Sequence, residues 1–86
     1  MKISLELTLA PLKSSYITTI KNFIGRLRDT KFTIIENPLS TQIYGDYDKV
    51  MSSIVPLIKS TFAEEEAVIL HLKLVKGDRS QYEPDF

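Results

Sequence analysis

Several side chains of this 86-residue sequence could bind a small polar molecule through hydrogen bonds and stacking. Glu6 offers a charged acceptor, which forms strong hydrogen bonds with an amino group. Ser40, Thr41 and Gln42 add hydroxyl and amide groups at neighbouring positions. Tyr44, two residues further on, adds an aromatic plane. These residue types suit recognition of a ligand, and we expect any small-molecule site to lie near them.

Asn37 and His71 complete the set of candidate ligand-binding residues. Asn37 precedes Pro38, which disfavours helix and indicates a turn, and an asparagine side chain can itself serve turn chemistry. His71 is the only histidine, so without cysteine or a second histidine it makes no convincing metal site. Simpler roles exist for each candidate, such as a cross-strand pair between Glu6 and either Lys73 or His71.

Residues 37–51 are the stretch around which we place these candidates, because a turn, a strand and a helix start meet there. Residues 40–44 alternate polar and apolar types and predict a strand. Gly45 and Asp46 are expected to break that strand, with Asp46 capping a helix that begins at Tyr47. Such a junction would expose polar side chains at the edge of a sheet.

Hydropathy periods predict the remaining elements. A period of two over residues 2–9 predicts a strand with one buried face, and further strands are predicted over 32–36 and 68–75. Helical spacing predicts one helix after Ser15 and a second over residues 47–62. Their inward positions are Tyr16, Ile17, Ile20, Phe23, Ile24 and Leu27 in the first helix, and Val50, Met51, Ile54, Leu57, Ile58 and Phe62 in the second.

Two local features are expected to have structural explanations. Gly25 lies inside the first helix, where glycine is unfavourable, and we expect it to allow close packing on the sheet. Glu64, Glu65 and Glu66 follow the second helix, whose C-terminal dipole end disfavours acidic residues, so we expect a solvated loop.

The order βαββαβ predicts an α+β, ferredoxin-like fold, a four-stranded antiparallel sheet with two helices on one face. Residues 1–76 would form the domain, and 77–86 an irregular C-terminal tail. Glu6, Gln42 and His71 would share the sheet face without helices, together with apolar residues of the last strand. An apolar patch on such a face indicates a covering partner, most economically a second copy of the chain.

Composition narrows the function classes. The eleven basic and eleven acidic residues balance, which argues against a nucleic-acid partner. The absence of cysteine excludes disulfides and thiolate catalysis. We find no signal-peptide pattern and no membrane-spanning stretch, and expect a cytoplasmic protein without membrane partners. No phosphate loop, triad order or metal motif appears, so we expect a protein that is not an enzyme and uses no metal or other cofactor.

Four segments resemble the small thiamine-binding family of YkoF-like proteins. They read SLE at 4–6, LAPL at 9–12, NPLSTQI at 37–43 and GDYDKVM at 45–51, within a likeness that covers residues 1–76. The resemblance implies a ferredoxin-like subunit that assembles through its sheets into homodimers or homotetramers. It also implies a non-catalytic pocket for thiamine or its hydroxymethylpyrimidine half, beside the neighbouring chain, in vitamin B1 metabolism.

An aminopyrimidine would use the residue types noted above. It carries an amino donor beside a ring-nitrogen acceptor and has a flat face, which a carboxylate, an amide or hydroxyl and an aromatic wall would satisfy. An ACT-like regulatory or purely structural oligomerisation module, with another ligand or none, remains the alternative. The candidate ligand-binding residues are Glu6, Asn37, Ser40, Thr41, Gln42, Tyr44 and His71.

Overall fold

A computed structural model describes all residues 1–86 and confirms the predicted ferredoxin-like fold. Its four strands form one antiparallel sheet in the order β2-β3-β1-β4, and both helices pack on the same face. Neither helix has the length and apolar character that crossing a membrane requires. The elements are β1 (Lys2–Pro11), α1 (Tyr16–Asp29), β2 (Thr33–Glu36), β3 (Thr41–Asp46), α2 (Tyr47–Glu64) and β4 (Val68–Lys76).

The central strand β1 has neighbours on both sides, and its alternation sets the two faces of the sheet. Leu5 lies opposite Ile43 of β3 and Leu74 of β4, while Glu6 lies opposite Gln42 and Lys73. Odd-numbered β1 residues therefore face the helices and even-numbered residues face away, because successive side chains of a strand alternate. The buried core consists of Ile3, Leu5, Leu7, Leu9, Phe23, Leu27, Ile43, Val50 and Ile54.

Strand β3 extends further than the sequence predicts, because Gly45 and Asp46 continue it. Both residues pair with the start of β1, and α2 follows directly at Tyr47. Asp46 occupies the N-cap position, but its carboxylate lies 3.3 Å from the ammonium of Met1 and makes no capping hydrogen bond. The hydrogen bond from this ammonium is the main cause of a lowered pKa of the Asp46 carboxyl.

The explanation offered above for Gly25 is wrong. A Cβ atom built on Gly25 has no atom within 4 Å, so nothing packs closely on this position. Gly45, rather than Gly25, is the glycine at which neighbouring side chains pack closely on the backbone. A Cβ atom there would lie 3.0 Å from Cγ2 of Val50 and 3.4 Å from Cδ1 of Phe32.

The two helices meet through polar groups that their hydropathy patterns do not predict. Thr19 of α1 and Thr61 of α2 are buried, while Tyr16, Ile17 and Phe62, predicted to face inward, are exposed. The threonine hydroxyls can be buried because each is hydrogen-bonded. Thr61 donates to the backbone carbonyl of Leu57, 3.0 Å away, and accepts from Arg26. Thr19 donates to Glu65 over 2.6 Å.

The acidic run after α2 is not simply a solvated loop. Glu64 ends the helix and pairs with Arg26, and the carboxylate of Glu65 lies 2.8 Å from Nζ of Lys13. Lys13, and then Thr19, lower the pKa of Glu65 by hydrogen bonding to its carboxylate. These contacts join the C-terminal end of α2 to α1 and to the loop before it.

We predict that Gly25→Ala stabilises the protein. Alanine fits at this helical position without a steric clash and is favoured over glycine by about 1 kcal/mol in a helix interior. The free energy of unfolding in urea should therefore rise by about that amount.

Gly45→Ala provides the matched control, because its added methyl group would press on the fully buried Val50. We expect this variant to be less stable than the parent chain. Equal effects of the two substitutions would contradict the packing described here.

Candidate functional site

The sheet face without helices, called the open face below, brings together many of the predicted site residues. The strand register places Glu6, Gln42 and His71 on it, as the sequence predicts. Tyr44 shares the face because it pairs with Ser4. The open face consists of Thr33 and Ile35 on β2, Gln42 and Tyr44 on β3, Ser4, Glu6, Thr8 and Ala10 on β1, and Ile69, His71, Lys73 and Val75 on β4.

A shallow cavity of about 150 Å³ lies on this face, and we call it the open-face cavity. Ligand pockets for drug-sized molecules usually enclose about 300–1,000 Å³, so this cavity alone cannot surround such a ligand. Its wall combines one carboxylate, one amide, one phenol and two cationic groups with aliphatic surface. The lining residues are Ser4, Leu5, Glu6, Gln42, Tyr44, Lys73, Val75 and Arg79.

Glu6 is the acidic group of the cavity. Its Oε2 atom accepts a hydrogen bond of 3.0 Å from the hydroxyl of Ser40. Its Oε1 atom lies 3.8 Å from Nζ of Lys73, a long contact with an exposed lysine. Such an ion pair contributes little to stability. The carboxylate therefore keeps unused acceptor capacity toward the cavity.

Gln42 is held in one orientation by its neighbour on the same strand face. The phenol of Tyr44 donates a 3.0 Å hydrogen bond to Oε1 of Gln42. Because the amide oxygen is engaged, the amide NH₂ remains as a donor. Since Gln42 is the cross-strand partner of Glu6, a donor and a charged acceptor stand side by side on the open face.

Asn37, Ser40 and Thr41 lie at the turn between β2 and β3 and line a different cavity. This second cavity, of about 140 Å³, lies between the turn, the end of β1 and α1. Oδ1 of Asn37 accepts hydrogen bonds from the amides of Leu39 and Ser40, so its side chain stabilises the turn. Thr41 is buried opposite Leu7, on the helix-facing side of the sheet. Only Ser40 is connected to the open-face cavity, through its hydrogen bond to Glu6.

His71 lies on the open face but not in the open-face cavity. It is exposed, pairs with Thr8 across the sheet, and borders a separate depression beside Glu6 and Lys73. No cluster of histidine, aspartate and glutamate residues has the arrangement to hold a metal ion.

Five lining residues of the open-face cavity were absent from the predicted set: Ser4, Lys73, Val75, Leu5 and Arg79. The alternation of β1 and β4 already places the first three on the open face. Nothing in the sequence indicates Arg79, because the stretch after Lys76 has no hydropathy period.

The chain after β4 reaches the cavity by turning back over Ser4. The hydroxyl of Ser4 donates to the carbonyl of Gly77 over 2.7 Å and accepts from the amide of Arg79 over 2.8 Å. Gly77 has a φ of 98°, which residues with a Cβ atom rarely adopt. The turn ends where Ser80 donates its amide to Asp78, and hydrogen bonds from Ser80 lower the pKa of that carboxyl.

Comparison with known proteins identifies structural relatives but no family. No family model and no curated protein sequence matches the chain. A Streptococcus pneumoniae protein has a TM-score of 0.82 at 25% identity, over 91% of this chain and 89% of its own. A Thermotoga maritima protein is described provisionally as a thiamine biosynthesis/salvage protein. It has a TM-score of 0.79 at 14% identity, over 90% of this chain and 85% of its own. A Bacillus cereus domain of unknown function, DUF77, has a TM-score of 0.71 at 13% identity, over 91% of this chain and 78% of its own. These likenesses support the fold.

We predict that Ser4→Ala releases the chain after β4 from the open face. The substitution removes both hydrogen bonds of the buried hydroxyl and should lower the free energy of unfolding by about 1–3 kcal/mol. Amide hydrogen exchange at Arg79 should become faster. Ser14→Ala, at an exposed serine of the loop before α1, is the control. Unchanged exchange at Arg79 in Ser4→Ala would contradict the role assigned to this hydroxyl.

Proposed function

We propose that this chain is a non-catalytic binding protein for thiamine or its hydroxymethylpyrimidine moiety, working as a homodimer or homotetramer. The ligand would bind on the open face, beside the interface with a second copy. Such a protein would serve transport, salvage or buffering of the vitamin in the cytoplasm.

The observation that carries this proposal is the pair formed by Glu6 and Gln42. An aminopyrimidine presents an amino donor next to a ring-nitrogen acceptor. The carboxylate of Glu6 can accept from the amino group, while the NH₂ group of Gln42 can donate to the ring nitrogen. Directly opposed residues of antiparallel strands have Cβ atoms about 4.5–5.5 Å apart, which suits adjacent atoms of one ring edge. The ring of Tyr44 and the side chain of Val75 supply flat and apolar walls.

The charge of Glu6 also suits the complete vitamin. The thiazolium ring of thiamine is a permanent cation, and removing it from water is costly unless an opposite charge is near. Glu6 is the acidic group in the cavity lining. The structural likeness to the Thermotoga maritima protein provisionally linked to thiamine biosynthesis or salvage favours the same ligand class.

A second copy of the chain would complete the site. Two apolar side chains of the open face, Ile35 and Ile69, are 41% and 45% exposed. Covering such apolar side chains with a partner stabilises an assembly, because it removes apolar surface from water. The same covering would enclose a ligand that the cavity, at about 150 Å³, holds only in part.

The apolar part of the open face also favours a second candidate function. In an ACT-like regulatory or structural module, the face would serve assembly with another ligand or with none. Glu6→Ala separates the two functions. A ligand site loses affinity while the assembly survives, whereas a purely structural face weakens in assembly.

We predict that thiamine or hydroxymethylpyrimidine raises the melting temperature of the protein. At a ligand concentration one hundred times Kd, binding adds about 2.7 kcal/mol to the stability. For a domain of this size, that corresponds to a shift of roughly 10–20 °C in a thermal unfolding scan. Glu6→Gln should lower the affinity about tenfold or more, because the hydrogen-bond acceptor loses its charge.

The control for this experiment is Glu66→Gln, which makes the same charge change at an exposed residue after α2. It should leave the ligand-induced shift intact. No shift of the parent chain with either compound at millimolar concentration would contradict the proposed function.

We predict that the 9.8 kDa chain forms an assembly of two or four copies that depends on the open face. Light scattering should give twice or four times the chain mass, and Ile69→Lys should shift the mass toward one copy by placing a charge in the interface. Ile17→Lys, at a residue of α1 that is 57% exposed, should leave the mass unchanged. A single-copy mass for the parent chain at micromolar concentration would refute the assembly.

A further inference from the structure

We propose that the open-face cavity contains an anion subsite formed by Arg79 and Lys73, and that its preferred ligand is a phosphate monoester of the aminopyrimidine compound. The inference rests on the proposed function and deepens it by naming the chemical form of the ligand.

The first support is that two of the three arginines form ion pairs and the third, Arg79, does not. Arg26 pairs with Glu64, and Arg28 forms two hydrogen bonds of 2.6 Å with Glu36. Arg79 has no carboxylate partner, although its side chain lines the open-face cavity. A guanidinium group with its donors unused at the rim of a cavity is suited to bind a carboxylate or phosphate in a bidentate way.

The second support is the backbone that holds Arg79 in place. Ser4 binds the amide of Arg79 and the carbonyl of Gly77, and the amide of Gly77 donates to the carbonyl of Lys2 over 2.8 Å. The guanidinium folds back over the turn, since its Nε lies 3.9 Å from where a Cβ atom of Gly77 would be. Arg79 therefore starts from a fixed backbone position beside the cavity, which lowers the entropy lost on binding an anion.

The third support is the charge of the cavity wall. Two cations, Arg79 and Lys73, stand against the single carboxylate of Glu6. Lys73 reaches Glu6 only over 3.8 Å, and Asp78, the nearest acid along the chain to Arg79, accepts the amide of Ser80. A neutral amino group of the ligand on Glu6 leaves its charge unchanged, so the cavity wall keeps one net positive charge. A phosphate monoester carries about 1.5 to 2 negative charges at pH 7 and would offset that excess.

The phosphate would also lower the cost of burying the two cations, which a neutral or cationic ligand would not. Burying Arg79 and Lys73 beneath a second copy of the chain is costly without an opposite charge. An ester whose ring lies on Glu6, Gln42 and Tyr44 and whose phosphate lies at Arg79 would satisfy every charged group that lines the cavity. The ligand would then bind more tightly with its phosphate than without it.

Isothermal titration calorimetry with hydroxymethylpyrimidine, its monophosphate and inorganic phosphate tests this inference. The parent chain should bind the monophosphate about tenfold or more tightly than the unphosphorylated compound, because charge-assisted hydrogen bonds are added. Arg79→Gln should abolish that preference, so that the two compounds bind with similar affinity. Arg79→Lys, which keeps the charge but loses the bidentate geometry, should retain part of it.

Lys76→Gln is the matched control, because it removes one positive charge from the same end of β4 on the opposite face, where Lys76 pairs with Ile3. It should keep the full preference for the monophosphate. Equal affinity of the parent chain for both compounds would overturn the anion subsite and leave the proposed function standing. Binding of inorganic phosphate that depends on Arg79, without binding of either pyrimidine, would support an anion site and refute hydroxymethylpyrimidine as the ligand. Binding of none of the three would refute both the subsite and that ligand.

Discussion

The register of β1 between β3 and β4 determines both what this protein buries and what it exposes. Leu7 and Glu6 are neighbours in the chain, yet Leu7 belongs to the core and Glu6 lines the open-face cavity. A shift of one residue in the pairing would exchange these two environments and bury a carboxylate among leucines. The apolar contacts of the core therefore also fix the positions of the polar side chains on the opposite face.

In the proposed function, the geometry of the open face couples ligand binding to assembly. The cavity is shallow, and Ile35 and Ile69 are exposed on the same face. One partner would deepen the cavity and cover these side chains. A ligand that contacts two copies favours the assembled state, and assembly raises the affinity for the ligand by the same free energy. Regulation of such a protein by its own concentration follows from this reciprocity.

The sequence predicts the fold and the open face well because both depend on local periods. The alternation of β1 and β4 was sufficient to place Glu6 and His71 on the same face, and the helix start at Tyr47 was correct. The burial of Thr19 was not predictable from its hydropathy, because it depends on Glu65, which lies 46 residues away in the chain.

The candidate site was predictable only for residues whose face of the sheet follows from the alternation of side chains along a strand. Gln42 and Tyr44 follow from the period of β3, but Thr41, their neighbour, falls on the buried face by the same rule. Asn37 uses its side chain within its own turn. Arg79 follows no period, since its position depends on a turn at Gly77 and on one buried hydroxyl.

That turn bears on where the domain should be considered to end. Hydropathy patterns indicate a boundary at Lys76, and a fragment trimmed there would keep every strand and helix. It would nevertheless lose the carbonyl of Gly77 and the amide of Arg79, which are the hydrogen-bond partners of the Ser4 hydroxyl. That hydroxyl would then face solvent or an interface. A fragment chosen by secondary structure alone would therefore have an altered open face, so a negative ligand screen with that fragment would not apply to the whole chain.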